Sequence, residues 1–203
     1  MTSDRLLRAG LLAATVFASA AQGAARIGEP APDFSAVDSN GKTVKLADFA
    51  GRTVVMEWTN HGCPYVQKWY GGGMQALQKE SIDKGAVWLT VLSSAPGMQG
   101  HVDGPTANRI MKDQGAAPTH YLLDYEGRIG RAYGAQVTPH MYVIAPDGRL
   151  AYMGGIDSIA SPDVNDIPKA EPLTRMAIDA VLARKPVAKA QTRPYGCSIK
   201  YAH

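Results

Sequence analysis

The sequence predicts an α/β protein, a central mixed β-sheet flanked by helices, with an N-terminal β-hairpin extension. Three observations lead there. Thr53–Trp58 and Ala86–Leu92 are β-rich or continuously apolar runs of strand length, the pattern of strands buried on both faces. Between them, apolar residues recur at helical spacing. Met141–Ala145 and Leu150–Met153 flank Pro146-Asp-Gly148, a strong signal for an antiparallel turn, and a closing amphipathic stretch follows. The order βαβα, then hairpin and helix, is that of a layered α/β sheet.

The first segment has a separate role. Arg5 and Arg8 precede an apolar run of about a dozen residues, Ala9 to Ala20, and small residues continue to Ala25. This is the pattern of a secretory signal peptide over residues 1–25, with the mature start between Ala21 and Arg26; left uncleaved, it would be an anchor. Export would place the chain in an oxidising compartment, a bacterial periplasm, where its two cysteines can persist as a disulfide. The remainder divides into one domain, 26–184, and a C-terminal tail, 185–203, that carries Cys197.

Along the domain, Gly28–Phe34 is a proline-stiffened extended lead-in, and Asp38-Ser-Asn-Gly-Lys42 has the chemistry of a tight hairpin turn. Thr53–Trp58 is a buried strand, and Cys63 follows it. From Pro64 to Lys84, Val66, Trp69, Tyr70, Met74, Leu77 and Ile82 mark a helix with Pro64 in its first turn, where a missing N–H costs nothing. Gly71-Gly-Gly73 weakens its middle, each glycine costing roughly 1 kcal/mol relative to alanine, so a kink or break is expected there. Ala86–Leu92 is a second buried strand, Thr106–Gln114 a helix, Tyr121–Leu123 a short strand and Arg128–Tyr133 a helical turn. Leu173–Leu182 closes the domain, and Lys185–Arg193 reads as an exposed linker.

Bulk properties narrow the function classes. The 203 residues fit one ordinary domain. A formal net charge of +3 arises from interspersed basic and acidic residues, which argues against a nucleic-acid surface. No stretch reaches the roughly 18 apolar residues of a membrane-spanning helix, so no stable membrane insertion is expected after cleavage. Nothing in the sequence calls for a cofactor.

The succession Pro30-Ala-Pro-Asp-Phe34, Gly41-Lys-Thr-Val-Lys-Leu46, a strand ending in Trp58, Gly62-Cys-Pro-Tyr65 and Val137-Thr-Pro-His140 resembles the thioredoxin-like redoxins. More narrowly, it is similar to the redoxins grouped with alkyl hydroperoxide reductase and thiol-specific antioxidant. The likeness runs from about Arg26 to the C-terminus and implies a thioredoxin-like fold. It further implies that Cys63 is the nucleophile at a strand-to-helix junction and that Thr138-Pro139 is a loop with a cis proline lying against it. Two departures stand out. Val66 occupies the place of the second cysteine of a dithiol motif, so this is a one-cysteine version. Asn60 and Met56 lie three and seven residues before Cys63, where a peroxide-reducing site carries Ser or Thr and Pro. Tyr195-Gly-Cys-Ser-Ile199 resembles a tail of some exported redoxins.

A cysteine at a helix N-terminus meets unpaired N–H groups and the positive end of the helix dipole, both of which favour thiolate. At a pKa of about 8.5 a few per cent is thiolate at pH 7, and at about 6 some 90 per cent is. His61 is placed to add a hydrogen bond or charge, unless it is a solvated loop residue, and Asn60 or Thr59 to donate to the sulfur or to a bound oxygen. Cys197 is the sole candidate for an intramolecular disulfide with Cys63. Closing that loop of about 135 residues would stabilise the fold by roughly 5 kcal/mol in the chain-entropy view. Either Cys197 swings in on a mobile tail to resolve an oxidised or mixed-disulfide Cys63, or it is a permanent staple, an intermolecular partner or an unpaired thiol. Backbone at Thr138 beside Pro139 would pair with an extended substrate segment. His140 points either to the site or into the neighbouring strand.

The first function expected is therefore a thiol oxidoreductase or thiol peroxidase, with Cys63 attacking a disulfide or a hydroperoxide. Its partners would be protein or small-molecule thiols and disulfides, or hydroperoxides. The alternative from another class is copper handling by Cys63, Cys197 and one of His61 or His140 as soft ligands. A third is a binding module that keeps the fold without chemistry.

Overall fold

The computed structural model describes residues 24–202, so the expected signal peptide lies outside the described residues except for Ala24 and Ala25. At its centre, β1 (Ser35–Asp38), β2 (Thr43–Lys45), β3 (Val54–Trp58), β4 (Val87–Leu92), β5 (His120–Leu123), β7 (His140–Ile144) and β8 (Leu150–Gly154) form one sheet. Its order is β2-β1-β5-β4-β3-β7-β8. β3, β4 and β5 are parallel, while β7, β8 and the β1–β2 hairpin pair antiparallel, so the sheet is mixed. Every residue of β3, β4 and β7 is buried. This is why their sequences are continuous runs rather than alternating ones.

The helices are α1 (Pro64–Tyr70), α2 (Met74–Asp83), α3 (Gly104–Asp113), α4 (Arg128–Tyr133) and α5 (Leu173–Leu182). On one sheet face Trp69, Met74, Leu77, Met111 and Ile178 pack against Val55, Trp88 and Met141. On the other, Phe34, Phe49, Ile129 and Tyr133 cover Met56, Trp58, Leu89 and Tyr142. The expected Pro64–Lys84 helix is broken at Gly71–Gly73, and there a Cβ on Gly72 would collide with Val164. The short 3-10 segment Val164–Lys169 thus packs into the break. Helix α3 starts two residues before the expected Thr106, because the Asp103 carboxylate caps it by accepting from Thr106 N–H at 2.9 Å, with Pro105 in the first turn.

The segment expected as an exposed linker is largely exposed, but its last residues are paired rather than free. It runs along the outer edge of β8: Met153 N–H donates to Ala190 O at 3.0 Å, and Thr192 N–H donates to Met153 O at 3.1 Å. Thr192 Oγ1 shares a hydrogen bond of 2.7 Å with Tyr152 Oη, and the bare backbone of Gly154 makes room for it. From there the chain reaches a second small sheet, in which β6 (Val137–Thr138) pairs antiparallel with β9 (Cys197–Ser198). In this structure the tail is docked against the domain.

Glu57, in the middle of β3, ties the strand to its neighbours. Its buried carboxylate accepts from Tyr70 Oη at 2.9 Å, Trp88 Nε1 at 3.0 Å, Thr90 Oγ1 at 3.2 Å and Gln78 Nε2 at 3.4 Å. Desolvation pushes its pKa up, and although all these donors pull it down, the net shift is upward. A carboxyl whose folded pKa lies above its unfolded value contributes stability that is complete below the unfolded pKa and is lost as pH rises through the folded one. Glu57→Gln can keep the donors on its carbonyl while Tyr70 Oη turns to accept from its amide. In urea unfolding from pH 4.5 upward, the variant should therefore gain stability relative to the native chain. A difference that stays flat or shrinks with pH would reject a raised pKa for Glu57.

Candidate active site

Beyond β3 the chain turns through Thr59–Gly62 into α1. Asn60 shapes that turn: its Oδ1 accepts from Gly62 N–H at 3.0 Å, its Nδ2 donates to Gln99 Oε1 at 2.7 Å, and its carbonyl accepts from Cys63 N–H at 2.9 Å. Cys63 is the extended residue that caps α1, with its own carbonyl accepting from Val66 and Gln67 N–H. Its side chain is 0% exposed. The expected long helix behind it is seven residues, so its favourable field comes mainly from the nearest N–H groups.

Across from Cys63 lies the Thr138–Pro139 loop, with a cis peptide bond as the resemblance implied. When protonated, Cys63 Sγ donates to Thr138 O at 3.2 Å. The β6–β9 register sets Cys197 directly opposite Thr138, and Thr138 Oγ1 donates to Cys197 O at 3.4 Å. Both cysteines are free thiols, with Cys63 buried and Cys197 partly exposed, and each perturbs the other's pKa.

These neighbours decide the protonation of the pair. Burial raises the Cys63 pKa. The polar groups gathered around the sulfur, first the Cys197 thiol and then Val66 N–H, the Thr138 hydroxyl and the Cys197 backbone, outweigh it and bring the value below that of an ordinary thiol. Cys197 moves the other way, to about 12, through burial and then its hydrogen bond to Cys63 and the charge there, against a small opposing effect of Lys200. Of the two thiols, Cys63 is the one that gives up its proton first.

Of the residues singled out in the sequence, Cys63, Thr138, Pro139 and Cys197 come together. Asn60 and His61 do not bear on the sulfur. The Asn60 amide is taken up by Gln99 and Gly62, and His61 contributes its carbonyl to Gln67 Nε2 at 3.1 Å while its Nδ1 is buried without a partner. His140 faces the second core, where its Nδ1 lies 3.2 Å from Tyr142 Oη and burial lowers its pKa to about 4. Among the described residues no group of three His, Cys, Asp or Glu side chains is arranged to hold a metal ion, so the copper reading has no support.

Three polar residues escaped the sequence reading. Lys68 on α1 is buried against Asp157, with Nζ to Oδ2 at 2.9 Å, and Tyr195 of the tail donates to Asp157 Oδ1 at 2.7 Å. In the sequence Lys68 is one charge on an amphipathic helix and Asp157 one acid in a turn. Only Tyr195, two residues before Cys197, carried a signal, as part of the tail motif.

Comparisons with known proteins bear on the fold and family. The chain is similar to a crystal structure of an uncharacterized conserved protein from Geobacillus kaustophilus, at 27% identity over 87% of this chain and 93% of that one, with a TM-score of 0.77. A hypothetical protein from Sinorhizobium meliloti 1021 is similar at 25% identity over 89% and 97% of the two chains, with a TM-score of 0.69. A putative thiol:disulfide interchange protein DsbE from Chlorobium tepidum shares the fold at 22% identity over 64% of this chain and 85% of that one, TM-score 0.53. A search of the curated proteins finds no match. The AhpC/TSA family profile matches residues 27–153, which hold β1 to β7 and Cys63; the fold is thioredoxin-like, and the chain belongs to the AhpC/TSA family.

Proposed function

We propose that the protein is an exported thiol-disulfide oxidoreductase in which Cys63 is the nucleophile and Cys197 the resolving thiol. The observation that carries this reading is the β6–β9 register, which brings Cys197 across from Thr138 and onto Cys63. The Cys63 thiolate attacks one sulfur of a substrate disulfide, forms a mixed disulfide and expels the other sulfur as a thiolate. Charge at Cys63 is then gone, which removes one of the causes that hold the Cys197 pKa high. Cys197 loses its proton, attacks the Cys63 sulfur and releases the second substrate thiolate. The substrate has gained two electrons, and the protein is left with a Cys63–Cys197 disulfide that an external thiol must reduce.

Protein or small-molecule disulfides fit this cycle better than hydroperoxides. The Asn60 amide is engaged by Gln99 and Gly62, so the residue three before Cys63 does not act as the Ser or Thr donor of a peroxide site. The basic, apolar, small-residue leader supports a periplasmic setting, where such a cycle would meet exported substrates.

Glutathione disulfide and hydrogen peroxide separate the two chemistries. With Cys197→Ala, the first should leave one glutathione adduct on Cys63, seen by mass spectrometry, and Cys63→Ser should abolish it. Sulfenic acid on Cys63, trapped by dimedone, with no glutathione adduct would replace exchange by peroxide reduction.

The protonation of the pair gives a second expectation. Alkylation of Cys63 followed against pH should show an inflection below the ordinary thiol value of about 8.5. In Cys197→Ala the thiolate loses the largest of its donors, so the inflection should move up. An inflection that stays put or moves down would show that Cys197 does not stabilise the anion.

A further inference from the structure

The proposed exchange has a steric difficulty: Cys63 is 0% exposed. An external disulfide cannot reach the sulfur while β9 is paired to β6, so the manner in which β9 is held decides when Cys63 is available. Its fastenings lie on both sides of Cys197. On the C-terminal side, Ile199 N–H donates to Gln136 O at 3.0 Å and Ala95 N–H donates to Lys200 O at 2.9 Å. Further along, Tyr201 Oη donates to Ala135 O at 2.8 Å, and its ring lies where a Cβ on Gly127 or Gly130 would collide with it. On the N-terminal side, Tyr195 Oη donates to Asp157 Oδ1 at 2.7 Å and accepts from Lys68 Nζ at 3.2 Å, and its ring meets Tyr65 edge-on.

The N-terminal fastening differs from the other in one respect. It is charged and buried, yet it remains paired if the tail leaves. Asp157 would keep Lys68 Nζ, Trp69 Nε1 and Ile159 N–H as donors, and Lys68 would keep Asp157 and Ile159 O as acceptors. A buried ion pair stripped of its partners is strongly destabilising, but here only one hydrogen bond on each ion is exchanged for water. A cleft lined by Val137, Asp157, Ser158 and Tyr195 runs beside this contact, so water has a route to it. Between the fastenings Gly196, at φ +140°, lies so close to Thr138 O that any Cβ would collide with it. The strand is closely seated but held by few groups.

We propose that Tyr195, gripped by the Lys68–Asp157 pair, is a positioning residue that latches β9 over Cys63, and that this latch opens to admit a disulfide and closes to deliver Cys197. The inference rests on the thiol-disulfide reading and adds what controls access to its nucleophile. When the strand lifts, the backbone of Val137 and Thr138 becomes a free edge for an extended segment of the incoming partner. When it returns, the same two residues set Cys197 against the sulfur to be resolved.

The test uses the reduced full chain with Cys197→Ala as the only background change, so that Cys63 is the sole thiol. Its alkylation by iodoacetamide is followed across pH by mass spectrometry, with and without Tyr195→Phe. Under a closed cover the plateau rate, reached when Cys63 is fully ionised, is proportional to the open fraction. Losing a hydrogen bond to a charged group should raise that plateau about tenfold and leave the inflection in place. Gly196→Ala, which prises the strand from Thr138 without touching Lys68, should do the same. Hydrogen exchange at Ile199 N–H and Ala95 N–H should speed up in both variants, while β3 and β4 amides stay protected. An unchanged plateau in Tyr195→Phe, or a rise matched by equal loss of protection in β3 and β4, would overturn the latch. Faster alkylation without any glutathione adduct from glutathione disulfide would keep the latch and sink the exchange reading.

Discussion

A buried sulfur anion needs hydrogen-bond donors, and at Cys63 much of the supply comes from the C-terminal tail. Cys197 contributes its thiol and its backbone, next to Val66 N–H and the Thr138 hydroxyl. The element that shuts solvent out is therefore also the one that makes the thiolate tolerable. Without such donors, desolvation would push this thiol toward its neutral form and leave an inert core cysteine. Cover and activation are one contact, and every other feature of the site serves to hold it.

The sheet provides the rigid reference for that contact. Parallel pairing of β3 with β4 and antiparallel pairing with β7 fix Trp58, and hence the turn into Cys63, relative to the Thr138 loop that leads into β7. Glu57 adds a polar centre, since its carboxylate joins β3 to β4 through Trp88 and Thr90 and to the helical layer through Tyr70 and Gln78. Because Tyr70 ends α1, the same network holds both ends of the segment that carries Cys63. A buried, fully partnered polar group in that position specifies an arrangement rather than adding stability.

Much of this was legible in the residues, for local reasons. Strand-length apolar runs, Pro64 after Cys63, the Gly71–Gly73 interruption and the Pro146-Asp-Gly148 turn are short-range signals, and the elements follow them closely. Cys63 at the junction of β3 and α1 and the Thr138-Pro139 loop across from it were visible through the resemblance. What could not be read depends on distant partners. Whether Asn60 turns toward the sulfur or away from it is decided by Gln99, and whether the tail swings or docks is decided by β6, Gly154 and the Lys68–Asp157 pair. Neither Lys68 nor Asp157 has a pattern that marks it as buried, because each is tolerated inside only through the other.

Where the tail passes β8 it has a further consequence. Residues 190–192 occupy the outer hydrogen-bonding side of a strand that would otherwise end the sheet. An open strand edge is a template on which other chains can add, and burying it under the molecule's own backbone is a form of protection against aggregation. At the opposite end, β2 is only three residues long and bears a lysine at its last position, Lys45. The chain thus blunts both margins of its sheet, one by brevity and charge and the other with the segment that goes on to shield the thiol.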